Sequence, residues 1–402
     1  MDRVILHVDV NNAYLSWTAI YLLKKGHKYD IRKRYAVIGG DESARRGIVL
    51  AKSPLCKAKG VVTAETIGSA RKKCPYLEVY PPYFKLYKYF SDKMYDYLCT
   101  YTDIIERYSI DECFLDYTGS QSLFGDPIKV AYKIKDDIYK MFGFTVNVGV
   151  GNNKLLAKMA SDFQKPNRVH TLFFNEIEEK MYPLPVDDLF MIGKASSKKL
   201  HEIGIHTIGE LAKYPEDELV LRFKKMGRLM HNFANGIDDS PVYSEREAIK
   251  SVSSSTVLPY NYSDVGKIYE VIRELSMEVG RRLRYNKMYA DTVGVWIKYS
   301  YFDKISRQHK LDTSISSDSE IYDNGIKVFN ELWNKEDGIR AICIFVSGLS
   351  DKKRRQLSIF DIDSNDDKDK VQDLVDEIRR KYGKDSIGFG RTEKKEDDVN
   401  ER

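Results

Sequence analysis

Ile104-Ile105-Glu106-Arg107-Tyr108-Ser109-Ile110-Asp111-Glu112-Cys113-Phe114-Leu115-Asp116-Tyr117-Thr118 sets an adjacent carboxylate pair between two apolar, aromatic-rich runs. Such runs read as a strand, a tight reversal and a second strand. Neighbouring side chains of a regular strand point to opposite faces, so Asp111 and Glu112 converge on one ion only where the strand ends or twists. They are therefore tip residues. Carboxylates so placed suit Mg2+, a hard ion that takes oxygen ligands and keeps room for waters and phosphates. An exposed acidic turn is the competing reading.

The 402 residues exceed one typical domain, which predicts two to four. Net charge is +5, but residues 361–402 hold 14 acidic and 10 basic side chains, leaving +9 on residues 1–360. A basic body with 28 Tyr fits a nucleic-acid partner, because cations neutralise phosphates and rings stack on bases. Cys56, Cys74, Cys99, Cys113 and Cys343 show no paired metal spacing, and neither a signal peptide nor a long apolar span appears. A soluble, reducing, cytoplasmic protein without membrane contact is expected.

Arg3 to Leu23 begins as a strand and passes through Asn11-Asn12 into a helix, with Asp9 at the junction. A buried strand delivering a carboxylate at its end is a common way to build a metal site. The alternative is that Asp9 and Asn11 cap the helix. Tyr14, near the helix start, reads as core or as a wall on the substrate side. Gly39-Gly40 then separates two β-rich stretches, and spaced cations follow at Arg45, Arg46, Lys52, Lys57 and Lys59, suited to a triphosphate or simply solvated. A Tyr-rich stretch from Pro81 leads to the tip. Thr145 to Asn167 reads as strand, Gly-Asn-Asn turn and helix, with Lys154 and Lys158 on the helix and Lys165-Pro166 ending it. Between Leu184 and Asp239, glycine hairpins at Gly193 and from Gly204 to Gly209 bracket short helices, and Thr207 with Glu210 makes a capping box. This is a helix-hairpin-helix pattern, whose free amides bind phosphate without reading sequence. A polar linker near Ser244 to Ser255 precedes an α+β region containing a hairpin with Lys304, Arg307 and Lys310, whose sheet either lies on nucleic-acid backbone or is solvated. Gln356-Leu357-Ser358-Ile359-Phe360 follows the last strand as a local staple or as anchors for a partner. The tail has Val371, Leu374, Val375 and Ile378 at helical spacing.

With these residues in view, the chain resembles Y-family translesion DNA polymerases of the UmuC/DinB (ImpB/MucB/SamB-like) group. His7 to Tyr14, Tyr108 to Asp116, Gly149 to Asn167 and Ile192 to Leu211 occur in the family's order and approximate spacing. The resemblance implies a multidomain α+β right hand. Its parts would be a palm at 1–12 and 83–172, fingers at 13–82, a helix-hairpin-helix thumb at 173–240, a little finger at 246–355, and a clamp-binding peptide with charged tail at 356–402. It implies addition of dNTPs to a primer 3′ end on primer-template DNA, with low fidelity and low processivity. Asp9, Asp111, Glu112 and the carbonyl of Val10 would hold two Mg2+ ions. Tyr14 would be a steric gate against the ribose 2′-hydroxyl, and Lys57 and Lys165, with Lys52, would contact the triphosphate. Gly193, Lys194, Gly204, Gly209 and Arg307 would touch DNA. Gln356, Leu357, Ile359 and Phe360 resemble the peptide by which bacterial replication factors dock on the sliding clamp, and a monomer suffices.

The sequence departs from the family's DinB-like pattern at Ala51, Pro54 and Lys57, where a Thr, a Tyr and an Arg are usual. Thr18 also replaces a frequent acidic residue, and these changes lie closer to the UmuC side. Two rivals remain. One is a DNA- and clamp-binding accessory that does not polymerise; the other is a nucleotide cyclase, since Gly39 to Glu42 resembles a diguanylate-cyclase turn, although Ser43 follows where that motif needs an aromatic.

Overall fold

The computed structural model describes residues 3–42, 45, 47–244, 248–354, 374–379, 381–383 and 386–387. The chain divides into two compact units, Met1–Glu42 with Gly47–Glu247, and Ser43–Arg46 with Ala248–Arg402.

In the first unit, β1 (Ile5–Val10) runs into α1 (Ala13–Lys24). Next come β2 (Ala36–Gly39), β3 (Val49–Lys52), α2 (Pro54–Ala58), α3 (Ile67–Lys73) and β4 (Glu78–Tyr80), which make a small sheet in the order β3-β2-β4 with its own core around Val37, Val49 and Ile67. The Tyr-rich stretch becomes α4 (Phe84–Leu98) because Tyr87, Phe90, Met94 and Leu98 fall on one helical face and are buried. β5 (Ile105–Arg107), β6 (Glu112–Asp116), α5 (Gln121–Phe124), α6 (Pro127–Phe142), β7 (Val146–Gly151), α7 (Lys154–Asp162) and β8 (Val169–Leu172) complete a five-stranded sheet, ordered β5-β6-β1-β7-β8. Asp126 caps α6, Pro127 takes its first position, and Gly143 in the left-handed region ends it.

β1 is central, and its two faces have different neighbours. Leu6, Val8 and Val10 join the main core with residues of α4 and α6. Ile5, His7 and Asp9 face α7, where Ile5 packs with Ala157 and His7 hydrogen-bonds Ser161. α1 likewise serves two cores, Ala13, Trp17 and Ile20 on one side and Leu15 and Ala19 on the other, so its burial runs all round. α8 (Ile177–Lys180), α9 (Lys194–His201), α10 (Ile208–Lys213), α11 (Glu216–Phe223) and α12 (Lys225–Ala234) form a helical lobe whose core includes Leu155, Leu156 and Met159 of α7. The capping box is present: Glu210 N donates to Thr207 Oγ1 at 3.2 Å and Thr207 N to Glu210 Oε2 at 2.9 Å.

The second unit contains β9 (Ser251–Tyr262), α13 (Val265–Tyr285), β10 (Tyr289–Tyr299), β11 (Lys304–Ile315), α14 (Asp318–Leu332) and β12 (Ile339–Ser350), an antiparallel sheet ordered β11-β10-β12-β9. The serine-rich run Ser251 to Ser255, expected as linker, is strand. Ser251, Val252, Ser253, Ser254 and Ser255 pair with β12, and Val252 enters the core, so tertiary pairing overrides the polar composition. The two helices cover one face of the sheet through Ile268, Ile272, Val279, Val328 and Phe329. Helical residues 374–379 of the tail meet this unit through ion pairs: Arg284 lies between Asp318 at 2.9 Å and Asp376 at 2.6 Å, in space kept open by Gly280. Gln356, Leu357, Ile359 and Phe360, like Val371, lie outside the described residues. No described helix is long and apolar enough to cross a membrane.

Candidate active site

Asp9 and Glu112 are register partners across β1 and β6. Both lie on the face that α7 covers, and directly opposed residues of antiparallel strands bring their side chains together. Asp111 stands in the reversal just before β6, its carbonyl accepting from Val10 N at 3.0 Å and its Oδ1 from Ser109 Oγ at 2.6 Å. The tip is thereby tied to the end of β1 through backbone. Asn11 does not cap α1: its amide group bonds Asn147 Oδ1 at 3.1 Å, and its Oδ1 accepts from Asn167 N at 2.8 Å. Asn12, at φ 51°, takes the cap position without a side-chain bond.

α7 and the loop that follows it supply the cations. Lys158 Nζ lies 3.2 Å from Asp9 Oδ2, 2.5 Å from Glu112 Oε1 and 3.3 Å from Asp162. Lys165 Nζ reaches Asp9 Oδ2 at 2.7 Å and Asp162 Oδ1 at 2.8 Å. Among the described residues no three His, Cys, Asp or Glu side chains stand together in ion-holding geometry. The reason is visible: Asp9 and Glu112 are held by ammonium groups, and Asp111 is turned to Ser109. The donor chemistry nevertheless fits a hard divalent cation, because Asp9 and Glu112 set hard oxygen donors side by side with Asp111 at the end of the strand.

Electrostatics carries the same message. Burial pushes the Glu112 carboxyl up, Lys158 opposes this, and the neighbouring Asp9 and Asp111 add to the rise. Burial alone would lower the Lys158 and Lys165 ammoniums, but the carboxylates around them, Asp9 first, outweigh it and hold both above the ordinary lysine value. Partly buried carboxylates crowded this closely require positive charge among them. His7 is driven well below its usual range by burial and then by the two lysines, so it is a neutral ring beneath the site.

Tyr14 is half-buried and stacks on Tyr87, with centroids 4.4 Å apart and planes at 9°, while Phe84 meets it edge-on. Thr18, the residue standing where an acidic one is frequent, bonds the Tyr87 hydroxyl at 3.0 Å and the Tyr14 carbonyl at 2.7 Å. It thereby fixes the ring against which Tyr14 rests. The Tyr14 hydroxyl is raised by burial, and Asp111 and then Tyr87 add to the rise. Lys52 donates to Thr63 and is lowered by burial and by nearby Lys57. Lys57 is exposed on α2, whose first turn Ser53 caps with Pro54 behind it.

The nucleic-acid positions divide. Gly193 precedes α9, its carbonyl accepting from Ser196 N at 2.9 Å, and Lys194 opens the helix; Gly204 sits at φ +83° with its amide on the His201 carbonyl at 3.0 Å. Gly209 differs in its packing: its amide donates to the Tyr182 carbonyl at 3.0 Å and an added Cβ would meet the Tyr182 Cβ at 2.9 Å, whereas a Cβ at Gly193 or Gly204 would meet nothing within 4 Å. Tyr182 thus takes both its amide and its side-chain space. Arg307 is also redirected, because it pairs with Glu331 of α14 at 2.9 Å, on the face of the sheet that the helices cover. Strand alternation decided this. Lys304, whose ammonium lies 4.1 Å from the Trp296 ring centroid, and Lys310 fall on the opposite, helix-free face.

Sequence reasoning left Lys158 without a role. The available signal was Lys154, Lys158 and Asp162 at i, i+4 and i+8 along one helix face. It singled out Thr18 without giving it the Tyr87 hydroxyl as partner, and it missed Asn147, which accepts from Arg168 N at 3.2 Å and donates to the carbonyls of Ser161 at 2.9 Å and Gln164 at 2.8 Å, fixing the loop that carries Lys165.

Comparisons with known proteins agree along the chain. Residues 8–162 match the impB/mucB/samB family, 249–359 its C-terminal domain, and 187–238 a DNA polymerase-iota thumb domain. DNA polymerase IV of Clostridium acetobutylicum is 45% identical over 95% of this chain and 96% of its own. DNA polymerase IV of Acetivibrio thermocellus is 36% identical over 97% of each, and DNA polymerase IV 1 of Bacillus subtilis 32% over 98% and 94%. Among solved structures, the Y-family DNA polymerase chimera Dbh-Dpo4(243-245)-Dbh shares the fold, with TM-score 0.73, 24% identity, and coverage of 86% of this chain and 98% of that one.

Proposed function

This chain belongs to the impB/mucB/samB family of Y-family DNA polymerases, and on that premise we propose how its residues carry out the reaction. It is a translesion-type, DNA-directed DNA polymerase with a multidomain α+β fold, acting on primer-template DNA with dNTPs and using divalent metal. The palm comprises 1–12 and 83–172, the fingers 13–82, the thumb 173–240 and the little finger 246–355.

Asp9, Asp111 and Glu112, with the Val10 carbonyl, hold two Mg2+ ions. The observation that carries this reading is the opposition of Asp9 and Glu112 across β1 and β6, with Asp111 tied to Val10 at their end. When bound, such ions activate a 3′-hydroxyl and offset charge in an in-line displacement. Lys165, 37% exposed at its side chain, turns from Asp9 toward the triphosphate, and Lys52 and Lys57 approach it from the fingers. Gly193, Lys194 and Gly204 grip the primer-template backbone, and Lys304 and Lys310 replace Arg307 in that task. One copy of the chain, in the cytoplasm, suffices. Primer extension on an undamaged and an abasic template, with Mg2+ and then with chelator, is the direct test; template-directed extension that survives chelation overturns the ion reading.

Tyr14 walls off the ribose 2′-hydroxyl. Tyr14→Ala should raise ribonucleotide over deoxyribonucleotide incorporation by about 100-fold, since a filled pocket rejects an added hydroxyl sterically whereas an emptied one does not. The measured quantity is the ratio of kcat/KM for the two sugars, and an unchanged ratio rejects the gate.

Gln356, Leu357, Ile359 and Phe360 dock on the bacterial sliding clamp, Leu357, Ile359 and Phe360 as apolar anchors and Gln356 for orientation. The sequence pattern supports this, and tethering raises the effective concentration of an enzyme that grips DNA through phosphates. Replacing Leu357 and Phe360 by Ala should remove clamp stimulation of primer extension while clamp-free extension persists; retained stimulation refutes the assignment.

A further inference from the structure

We propose that Lys158 is a built-in counter-ion that competes with the divalent cation for Asp9 and Glu112, and so sets how tightly this polymerase loads its metal. The inference rests on the carboxylate reading above.

Two lysines reach the carboxylates, and they differ in how they are held. Lys165 lies beyond α7, with its side chain 37% exposed; Lys158 lies within the helix, with 11% exposed and its ammonium against Asp9 and Glu112. The sheet enforces that position. Gly149 and Gly151 of β7 let α7 approach so closely that a Cβ at Gly149 would stand 1.9 Å from the Ala157 carbonyl oxygen, one residue before Lys158. With the backbone pinned, the Lys158 ammonium can leave the two carboxylates only by turning about its own side-chain torsions.

Asp162 offers the alternative. One turn further along α7, it already lies 3.3 Å from the Lys158 ammonium and is 46% exposed. Rotation about the lysine's terminal torsions exchanges Asp9 and Glu112 for Asp162 without moving the helix. The exchange is a displacement of charge: the divalent cation takes the two carboxylates, and the ammonium keeps one. Each positive charge retained beside the cation weakens its binding, and the effect is large because the site is partly desolvated.

The test is Mn2+ binding to DNA-free full-length protein, followed by loss of the free-ion paramagnetic signal. Lys158→Met, which keeps the stem and removes the charge, should bind Mn2+ about ten-fold more tightly than wild type, whereas Lys158→Arg should show no gain. Equal or weaker binding by folded Lys158→Met overturns the competition. A second measurement needs no variant: mass-spectrometric readout of reductive methylation at Lys158 in wild type should rise several-fold with saturating Mn2+, and unchanged or reduced labelling refutes displacement. Asp111→Ala separates the two levels. If it binds Mn2+ as well as wild type, the carboxylate reading itself fails; if it binds worse while Lys158→Met matches wild type, the competition alone fails.

Discussion

Asp111→Ala should lower Mg2+-dependent primer extension by three orders of magnitude or more, on the order of 4 kcal/mol of transition-state stabilisation, while leaving thermal unfolding nearly unchanged. Asp111 is the cleanest of the three carboxylates to remove because its structural bond to Val10 is made by its backbone carbonyl, which alanine keeps. Among the described residues its side chain holds only the Ser109 hydroxyl, at 2.6 Å, which can turn to water. Asp9 and Glu112 are poorer choices. Each neutralises Lys158, and Asp9 also neutralises Lys165, so truncating either strands a partly buried ammonium. Breaking a buried pair from one side costs about 3–5 kcal/mol of stability, which would confuse lost chemistry with lost fold. Single-turnover extension at saturating dNTP, with circular dichroism on the same preparation, makes the measurement; undiminished extension by the mutant removes Asp111 from the site.

The second large effect is on stability. Gly149→Ala should destabilise the sheet of the first unit by about 3 kcal/mol or more, because a Cβ there meets backbone rather than a yielding side chain: the Ala157 oxygen at 1.9 Å and the Ser161 nitrogen at 2.5 Å. β7 and α7 must separate, and α7 carries Lys158. The folded fraction should therefore extend primers more slowly as well. Gly68→Ala is the control, since nothing lies within 4 Å of its Cβ and it sits inside α3, where alanine favours helix by roughly 1 kcal/mol. Thermal melts of the two variants should move in opposite directions. Similar melts would mean that α7 does not depend on the close approach at Gly149.

What could be read without coordinates has a common character: it is short-range. The strand, reversal and strand around Asp111 follow from two apolar runs and the carboxylates between them. The box at Thr207 and Glu210 spans three residues, and Pro127 with Gly143 brackets α6 by local backbone preference alone. The four motifs that carry the family resemblance are likewise contiguous stretches, which is why fold class and reaction were legible from sequence.

What the sequence left undecided is long-range. Gly209 looked like a phosphate-binding glycine because it closes a hairpin motif, yet Tyr182, far back in the chain, takes its amide and its space. Arg307 looked like a DNA contact, and which way it faces depends on the pairing of β11 with β10 and on Glu331 of α14. Ser251 to Ser255 looked like linker until β12 paired with it.

The sequence by itself determined the elements, the family's reaction and the carboxylates at the tip, because local periodicity, caps and motif spacing suffice for these. Tertiary structure alone decided which cation meets which carboxylate. Lys158 and Glu112 are 46 residues apart and Lys165 and Asp9 156 apart. Their encounters follow from β1 lying between β6 and β7 and from two glycines that admit α7 to that face. No spacing along the chain encodes such a pairing, since it arises only when strands choose neighbours and a helix finds room to approach.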